Sequence, residues 1–234
     1  LADIWAGGMV IANEVVDAMP TCRFRWRPGQ LDTLEELKVG WVGKRFGWVA
    51  DTASPELRAA LADCAGLWPL DDLAPEPVAA EINLDLPRWL ASIRTLFGHP
   101  EAASILYLFD YGGHTAEVYR PDRVDGTLRC HYRHRAHDDP FVYPGLQDIT
   151  TWVDFERLAR LAREAGFVVD GERSQAAWLL GTDVPDSFSR RMQAVTDRSA
   201  SARIAQGFKE LVMPTEMGER FRVLRLRTPE PSSR

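Results

Sequence analysis

Short apolar runs and apolar stripes follow one another along the chain in an order typical of layered strands and helices. The runs Met9–Ala12 and Ile105–Phe109 have the composition of strands buried in a parallel sheet. Between them, apolar residues recur at helical spacing over Leu86–Phe97, and Gly98 is expected to end this helix. Both runs lead into acidic residues, and Gly112 follows the second. Two buried strands separated by a helix predict parallel neighbours in one sheet.

Residues 21–50 follow a different pattern, in which apolar and polar positions alternate with a period of two. The stretch CRFRWR alternates apolar residues with arginines, which predicts a half-buried strand. The segments Leu34–Val42 and Phe46–Val49 are separated by Gly43-Lys44, which predicts a hairpin. We therefore expect an antiparallel β-meander inserted after the first strand.

Capping residues, glycines and prolines predict the remaining elements. The predicted helices are one that starts at Ser54-Pro55 and ends near Cys64, one that Asp154 caps and Gly166 ends, a short one over Gln175–Leu180 that Ser174 caps, and two stretches between Asp186 and Leu211. The remaining predictions are strands at Phe167–Val169 and at Phe221–Leu226, a turn at Pro28-Gly29 and a loop over Leu67–Pro77. A long polar loop is predicted over 114–151, and we expect it to be an active-site loop because loops of this length are more often functional than not.

Length and composition set the domain organisation. A chain of 234 residues with 45% hydrophobic and 26% charged residues is sufficient for one large domain with its own core. We predict an α/β fold in a single domain over residues 1–228, followed by a flexible tail at 229–234. The chain begins with Leu1 and enters a strand almost at once, which we interpret as the later part of something longer.

Charge and cysteine content exclude several classes of function. The formal net charge of −6 argues against general binding to nucleic acid or to anionic membranes. No apolar run approaches the roughly 20 residues of a membrane-spanning helix. The three cysteines are far apart and contain no CxxC pair, so neither a disulfide framework nor a structural zinc site is indicated. A reducing compartment is the expectation.

Polar residues follow the first strand directly. Asn13 and Glu14 end the apolar run, and Asp17 comes three residues later. The carboxyl end of a parallel strand is where open α/β sheets hold their ligands, which favours a functional site. The alternative is a strand that leaves the core and a helix N-cap, where asparagine and aspartate are common. Asp110 and Tyr111 are open to the same two interpretations, because a turn after a strand tolerates Asp.

The segment CHYRHRAHDD contains three histidines at three-residue spacing, which raises the question of a metal site. Zinc sites have tighter pairings and a second ligand cluster, and neither is present here. Packing of these rings against Tyr132 and Tyr143 is the favoured interpretation, so we predict no metal. A lid over a substrate channel is the intermediate possibility.

Five ordered motifs carry a resemblance to a known family. ANEVVDAMP, FDYG, DGTLRCHYRH, PGLQDITTWVDF and MPTEMGERF occur in this order between Gly8 and Phe221, as in the MidA-like proteins. This resemblance implies a class I S-adenosylmethionine-dependent methyltransferase with a Rossmann-like sheet. Eukaryotic members are mitochondrial complex I assembly factors that methylate arginine in a subunit. The family's glycine-rich loop and the acidic strand end that binds the ribose are absent here, so we expect a sheet incomplete in its N-terminal half.

The resemblance also implies roles for individual residues. Asn13 is expected to contact the cofactor, S-adenosylmethionine, beside the transferred methyl group. Glu14 and Asp17 are expected to be catalytic, because carboxylates can orient a guanidinium by paired hydrogen bonds and accept its proton. The candidate substrate-binding residues come from the later motifs: Asp110, Tyr111, Arg129, Tyr132, His134, Gln147 and Asp148.

Three functions remain open on this basis. The first is a protein arginine methyltransferase linked to respiratory complex I assembly, with a protein substrate and no nucleic-acid partner or membrane insertion. The second is a non-catalytic binding or assembly module on a methyltransferase scaffold, and the third is a small-molecule methyltransferase. The implied compartment is the bacterial cytoplasm or the mitochondrial matrix.

Overall fold

The structure is a computed structural model that describes residues 7–27, 30–64, 77–97, 103–120 and 122–230. These residues form two compact units. The first unit contains the described residues of Leu1–Glu14, Arg94–Gly112 and Ala162–Arg234, and the second contains those of Val15–Ile93 and Gly113–Leu161. The prediction of a single domain over 1–228 stays a prediction.

The described elements alternate between strands and helices. The strands are β1 (Met9–Asn13), β2 (Cys22–Arg27), β3 (Gln30–Val42), β4 (Arg45–Thr52), β5 (Val78–Ile82), β6 (Ile105–Gly113), β7 (Arg129–Tyr132), β8 (Arg135–His137), β9 (Asp148–Thr150), β10 (Val153–Asp154), β11 (Val168–Ser174) and β12 (Phe221–Arg227). The helices are α1 (Pro55–Cys64), α2 (Leu86–Leu96), α3 (Thr115–Val118), α4 (Phe155–Glu164), α5 (Gln175–Leu180), α6 (Val184–Ala194), α7 (Arg198–Val212) and α8 (Met217–Arg220).

The first unit is organised around a mixed sheet of strand order β1-β6-β12-β11. β1 and β6 are parallel, with Met9 opposite Ile105 and Asn13 opposite Phe109, as the sequence predicted. β12 is antiparallel to β6, and β11 is antiparallel to β12. The α/β class and the terminal antiparallel strand are therefore confirmed.

Aliphatic side chains of the two central strands form the core of this sheet. The fully buried ones are Leu106 and Leu108 of β6 and Leu224 and Leu226 of β12. Trp178 of α5 packs edge-on against Phe109, with ring centroids 4.9 Å apart. α5 begins where the Ser174 Oγ accepts a hydrogen bond from the Ala177 backbone N at 3.3 Å, so this predicted cap is confirmed.

β1 is less buried than the sequence predicted. Its side chains Met9 and Ile11 are 54% and 62% exposed, whereas Ala12 is buried. The prediction of a fully buried strand is wrong for the face that carries Met9 and Ile11. The physical reason is position, because β1 is the last strand in the described order of its sheet and an apolar run alone does not specify a strand's place.

The second unit contains an antiparallel sheet of order β4-β3-β2-β5, which confirms the predicted meander and extends it by one strand. Phe24 and Trp26 of β2 and Leu57 and Leu61 of α1 belong to one buried cluster. α1 begins where the predicted cap, Ser54, accepts a hydrogen bond from the Leu57 backbone N at 3.3 Å.

The segment 114–151 differs from the irregular loop that the sequence predicted. It contains the short helix α3 and an antiparallel sheet of order β8-β7-β9. These strands are three or four residues long, too short for a clear alternating pattern, which is why periodicity missed them. The segment is therefore a small structured subdomain of the second unit.

Some predictions fall on residues outside the described ranges. These are the turn at Pro28-Gly29, the loop at 67–76, the helix stop at Gly98 and the end of the tail at 231–234. None of the helices in the described part of the chain has both the length and the apolar character needed to cross a membrane.

Candidate functional site

The carboxyl edge of the parallel pair β1 and β6 brings together predicted site residues of the first unit. Asn13 lies opposite Phe109, and the Glu14 backbone N donates a hydrogen bond of 2.9 Å to the Phe109 carbonyl oxygen. Asp110 and Tyr111 follow Phe109 in β6. The parallel register thus places Asn13, Glu14 and Asp110 at the same edge, because parallel strands end on the same side of a sheet.

Glu14 has an unusual backbone at this edge. Its φ is 50°, in the left-handed region that non-glycine residues seldom adopt. Its side chain is exposed, and Asn13 Nδ2 donates a hydrogen bond of 3.3 Å to Glu14 Oε1. Strained backbone at a strand end is frequent in functional sites, where the surrounding structure fixes one side-chain direction.

Asp110 and Tyr111 are more enclosed. Asp110 is buried, and its Oδ1 accepts a hydrogen bond of 3.0 Å from the Tyr111 backbone N. The Tyr111 ring packs against Phe221 of β12, with centroids 5.7 Å apart. Of the two carboxylates at this edge, Glu14 is therefore the one open to solvent.

Asp17 lies in the second unit and is 3% exposed. Its backbone carbonyl oxygen accepts a hydrogen bond of 3.0 Å from the Thr151 backbone N, which ties the end of the segment 114–151 to the residues after Glu14 in sequence. The sequence predicted catalytic roles for both Glu14 and Asp17, but the solvent exposure of the two side chains differs. Their catalytic roles stay predictions.

The predicted substrate-binding residues of the later motifs belong to the β8-β7-β9 sheet and its connection. Arg129 pairs with Asp138, and the Tyr132 ring stacks on Tyr143 at 4.3 Å. Exposed His134 occupies the β7–β8 turn with a φ of 62°. Two further residues belong to this set: Gln147, whose Nε2 donates to the Pro140 carbonyl oxygen at 2.7 Å, and exposed Asp148, which pairs with His131 across the strands.

Among the histidines of this segment, His137 packs against an aromatic ring. His137 lies edge-on to Tyr143, with centroids 5.8 Å apart. Among the described residues, no group of three or more His, Cys, Asp and Glu side chains is arranged to hold a metal ion.

A buried ionic cluster is the feature that sequence reasoning missed. Alternation predicted that the arginines of CRFRWR face solvent, but Arg23 is 7% exposed. Arg23 Nη1 bonds Glu81 Oε1 at 2.6 Å, and its Nη2 bonds Asp125. Glu81 Oε2 also accepts from the Thr127 backbone N at 2.8 Å.

The pKa of Glu81 is raised, because the cost of burying its charge outweighs the lowering effect of Arg23. Its strand, β5, is fully buried, although Glu81 interrupts the apolar pattern of VAAEI. The signal available in the sequence was a single glutamate in a short apolar run. Such a run can be predicted as a buried strand only when a buried cationic partner of the glutamate is known.

Comparison with known proteins supplies the family context. Residues 1–173 match the family model described as "Putative S-adenosyl-L-methionine-dependent methyltransferase". The chain is 29% identical over 236 residues to the mouse (Mus musculus) protein arginine methyltransferase NDUFAF7, mitochondrial, and 33% identical over 231 residues to its rat (Rattus norvegicus) counterpart. Each match covers 94% of this chain and 46% of the relative, so the chain spans about half the length of these proteins.

A solved structure supports the same family. The crystal structure of a COG1565 superfamily member from Burkholderia thailandensis, bound to S-adenosyl-homocysteine, superposes with a TM-score of 0.77 at 30% identity. The match covers 97% of this chain and 55% of that protein.

The residues at the β1/β6 edge fit part of such a cofactor site. The exposed Glu14 carboxylate and the Asn13 amide oxygen suit positively charged groups, which here means a sulfonium or an ammonium. Among the described residues, no cation lies within ion-pair distance of Glu14, so its charge is available to a ligand.

Proposed function

The chain belongs to this family of S-adenosyl-L-methionine-dependent methyltransferases, and on that premise we propose that it provides the methyl-transfer half of a protein arginine N-methyltransferase. The observation that supports the proposal most directly is Glu14, an exposed carboxylate at the carboxyl end of a parallel strand that has no ion-pair partner among the described residues. Asn13 is adjacent and bonded to it.

Methyl transfer requires the protein to position the reacting groups more than to take part in covalent bonds. When bound, S-adenosylmethionine supplies an electrophilic methyl group on a sulfonium. Glu14 can accept two N–H bonds from a substrate guanidinium, which fixes its plane and increases electron density on the attacking nitrogen. As the new C–N bond forms and the S–C bond breaks, the nitrogen loses a proton that Glu14 can accept. Asn13 would orient the methyl-bearing end of the cofactor.

Buried Asp17 has a different part in this proposal. Its side chain is enclosed, and its carbonyl bonds Thr151. We assign it a positioning role for the end of the segment 114–151, which carries the candidate substrate residues Arg129, Tyr132 and His134. Further members of the same set are Gln147 and Asp148, with Asp110 and Tyr111 at the sheet edge.

The substrate proposal follows the relatives. The mouse and rat proteins are named arginine methyltransferases. The resemblance to the MidA-like family implies a link to complex I assembly, so we infer that the methyl acceptor is an arginine of a respiratory-complex subunit. An acidic residue at the sheet edge is consistent with a cationic acceptor.

Gene deletion tests this function. Mass spectrometry of complex I subunits should show an arginine whose methylation disappears in cells lacking the gene. The wild-type gene should restore it, and the Glu14→Gln gene should not. Unchanged arginine methylation after deletion would contradict the proposed substrate. Full complex I assembly with the Glu14→Gln gene would instead support the non-catalytic assembly module.

A further inference from the structure

An apolar cavity of about 440 Å³ lies within the second unit. One wall is the face of the β3–β4 hairpin that carries Val39, Phe46 and Trp48. The opposite wall includes Phe141 and Ile149 from the segment 114–151. The Trp48 and Phe141 rings meet edge-on with centroids 5.1 Å apart, so aromatic side chains hold the two walls together. Volume and lining are those of a ligand site.

The apolar surface continues out of this cavity along the hairpin. Val39 is 60% exposed, and Trp41, on the same face, is 67% exposed and packs edge-on against Phe46 at 5.3 Å. A tryptophan left this exposed is unusual unless a partner covers it, because tryptophan is among the residues that contribute most at interfaces. The surface therefore extends beyond what a small enclosed ligand would need.

A second cavity of about 380 Å³ shares the Phe46, Trp48 and Phe141 walls and is also lined by charged side chains. Asp125, Asp138 and Asp139 line it, together with the arginines Arg23 and Arg45. The two cavities are thus adjacent, one apolar and one charged. We call this adjacent pair the docking groove.

Existing pairings leave an excess carboxylate in the docking groove. Arg23 is already bound by Glu81 and Asp125, and Asp138 by Arg129. Asp139 Oδ1 accepts a hydrogen bond of 2.9 Å from the Phe141 backbone N. None of the described cations lies within 4.0 Å of the Asp139 carboxylate.

Counting Glu81 and Arg129 with the lining residues gives four carboxylates and three arginines. A cationic side chain would balance this charge. The backbone of β4 is a further feature of this surface. β4 is the last strand in the described order of its sheet, so its outer edge offers hydrogen bonds to an extended chain.

We propose that the docking groove binds an extended segment of the methyl-accepting protein, with a large apolar side chain in the apolar cavity and a neighbouring arginine or lysine at Asp139. The identity of the partner as methyl acceptor rests on the proposed function, but the binding chemistry does not. Adjacent apolar and acidic pockets, together with a strand edge that is unpaired in the described part of the sheet, fit a peptide better than a fatty chain, which would leave the acidic pocket without a partner.

Selection from a random heptapeptide library, displayed on phage and run without S-adenosylmethionine, tests the proposal. The enriched peptides should share a large apolar residue within two positions of an arginine or lysine. The consensus peptide should bind the chain, and the Val39→Glu variant should weaken its binding at least tenfold. Asp139→Asn keeps the acceptor for the Phe141 N–H but removes the charge. It should weaken binding several-fold and reduce its salt dependence.

Leu180→Glu is the control, because Leu180 is 54% exposed, belongs to the first unit and lines neither cavity. It should bind the peptide like the wild type, and equal melting temperatures for all three variants show that folding is unchanged. Selection without an apolar-basic consensus, or binding that Val39→Glu leaves intact, overturns the proposal. Dimerisation abolished by Val39→Glu, or dodecanoate binding that the peptide does not displace, overturns it in favour of a second copy or a lipid.

Methyl-transfer kinetics separate this proposal from the proposed function. If the docking groove binds the peptide but the protein methylates no arginine, the proposed function is wrong and the docking proposal is still supported. If arginine is methylated and Val39→Glu leaves the KM for the protein acceptor unchanged, the docking proposal is wrong and the proposed function is still supported. We expect Val39→Glu to raise that KM at least tenfold with little change in kcat.

Discussion

The backbone of Glu14 and one hydrogen bond from the Asn13 side-chain amide hold the Glu14 carboxylate in place, without an ion pair to any described cation. Its left-handed φ of 50° and the hydrogen bond from its N–H to the Phe109 carbonyl fix the direction in which the side chain leaves the strand. For a residue other than glycine this conformation costs about 1 to 2 kcal/mol, which the parallel pairing offsets. A carboxylate positioned in this way needs little reorganisation when a cation arrives.

Replacing Glu14 by glutamine should therefore impair chemistry more than binding. The amide keeps the size of the side chain but cannot accept a proton, so we expect kcat for methyl transfer to fall about 10²-fold or more. The KM for S-adenosylmethionine should change less than threefold, because the lost interaction strengthens only as the transition state forms. Single-turnover methylation measures the first effect, and calorimetry measures cofactor binding.

Glu216→Gln is the control for this experiment, since Glu216 is also an exposed glutamate of the first unit and lies at the start of α8. It should retain wild-type turnover. Wild-type turnover in Glu14→Gln would show that ANEVVDAMP only marks the point at which a strand leaves the core.

Asp154 allows a prediction about pH and stability. It is buried, caps α4 through the Arg157 backbone N at 3.0 Å and accepts from the Thr115 hydroxyl at 2.9 Å. Burial raises its pKa above the ordinary value of 3.8, so folding favours the neutral form. The stabilisation from this group is complete below about pH 4 and is lost as the pH rises through the raised pKa.

The Asp154→Asn variant is neutral at every pH and keeps an acceptor oxygen. Relative to the wild type, its free energy of unfolding should therefore increase between pH 4 and pH 7. Urea denaturation at both pH values, followed by tryptophan fluorescence, measures the difference. A relative stability that falls over this range would mean that the hydrogen bonds to the charged carboxylate outweigh its burial.

Among the elements, those with strong periodicity or clear caps were predictable from the sequence. Ser54, Asp154 and Ser174 begin helices in the structure as predicted, since a cap is a local hydrogen bond that neighbouring residues determine. β5 and α8 were missed. Glu81 makes β5 look polar, and its burial depends on Arg23, 58 residues away in sequence. Long-range pairing of this kind has no local signal.

The turn between α7 and α8 depends on a glycine at the element scale. A Cβ on Gly218 would overlap the Val212 carbonyl oxygen and lie 2.8 Å from that of Met213, and backbone atoms cannot move aside cheaply. The Gly218 N–H also bonds the Met213 carbonyl at 3.0 Å. Gly218→Ala should therefore destabilise the protein by about 2 kcal/mol.

Gly207 provides the matched comparison within the same pair of helices. It lies inside α7, and a Cβ there would meet no atom within 4 Å. Gly207→Ala should stabilise the protein by about 0.5 to 1 kcal/mol, because alanine loses less backbone entropy in a helix. Urea denaturation followed by far-ultraviolet circular dichroism measures both variants. Equal effects would show that the turn relaxes around an added methyl group.

Over the whole molecule, the candidate site was only partly predictable. Adjacent strand ends placed Asn13, Glu14 and Asp110 together, because a parallel register follows from two apolar runs separated by a helix. The burial of Asp17 was not predictable, since motif spacing carries no information on solvent exposure. The docking groove could not be predicted from the sequence either, because its walls come from a hairpin and a segment that lie about 100 residues apart in the chain.

The last prediction concerns what the 234-residue chain can bind by itself. The β1/β6 edge supplies Asn13, which we expect to contact the methyl-bearing part of S-adenosylmethionine, next to Glu14. The glycine-rich loop that resemblance assigns to the methionine and ribose parts has no counterpart in these 234 residues. We therefore expect the isolated chain to bind the cofactor at least 100-fold more weakly than the Burkholderia relative, which was crystallised with S-adenosyl-homocysteine. Isothermal titration calorimetry on both proteins measures the ratio. Comparable affinities would show that the edge residues hold the cofactor without that loop, and Glu14→Gln should then weaken cofactor binding as well as turnover.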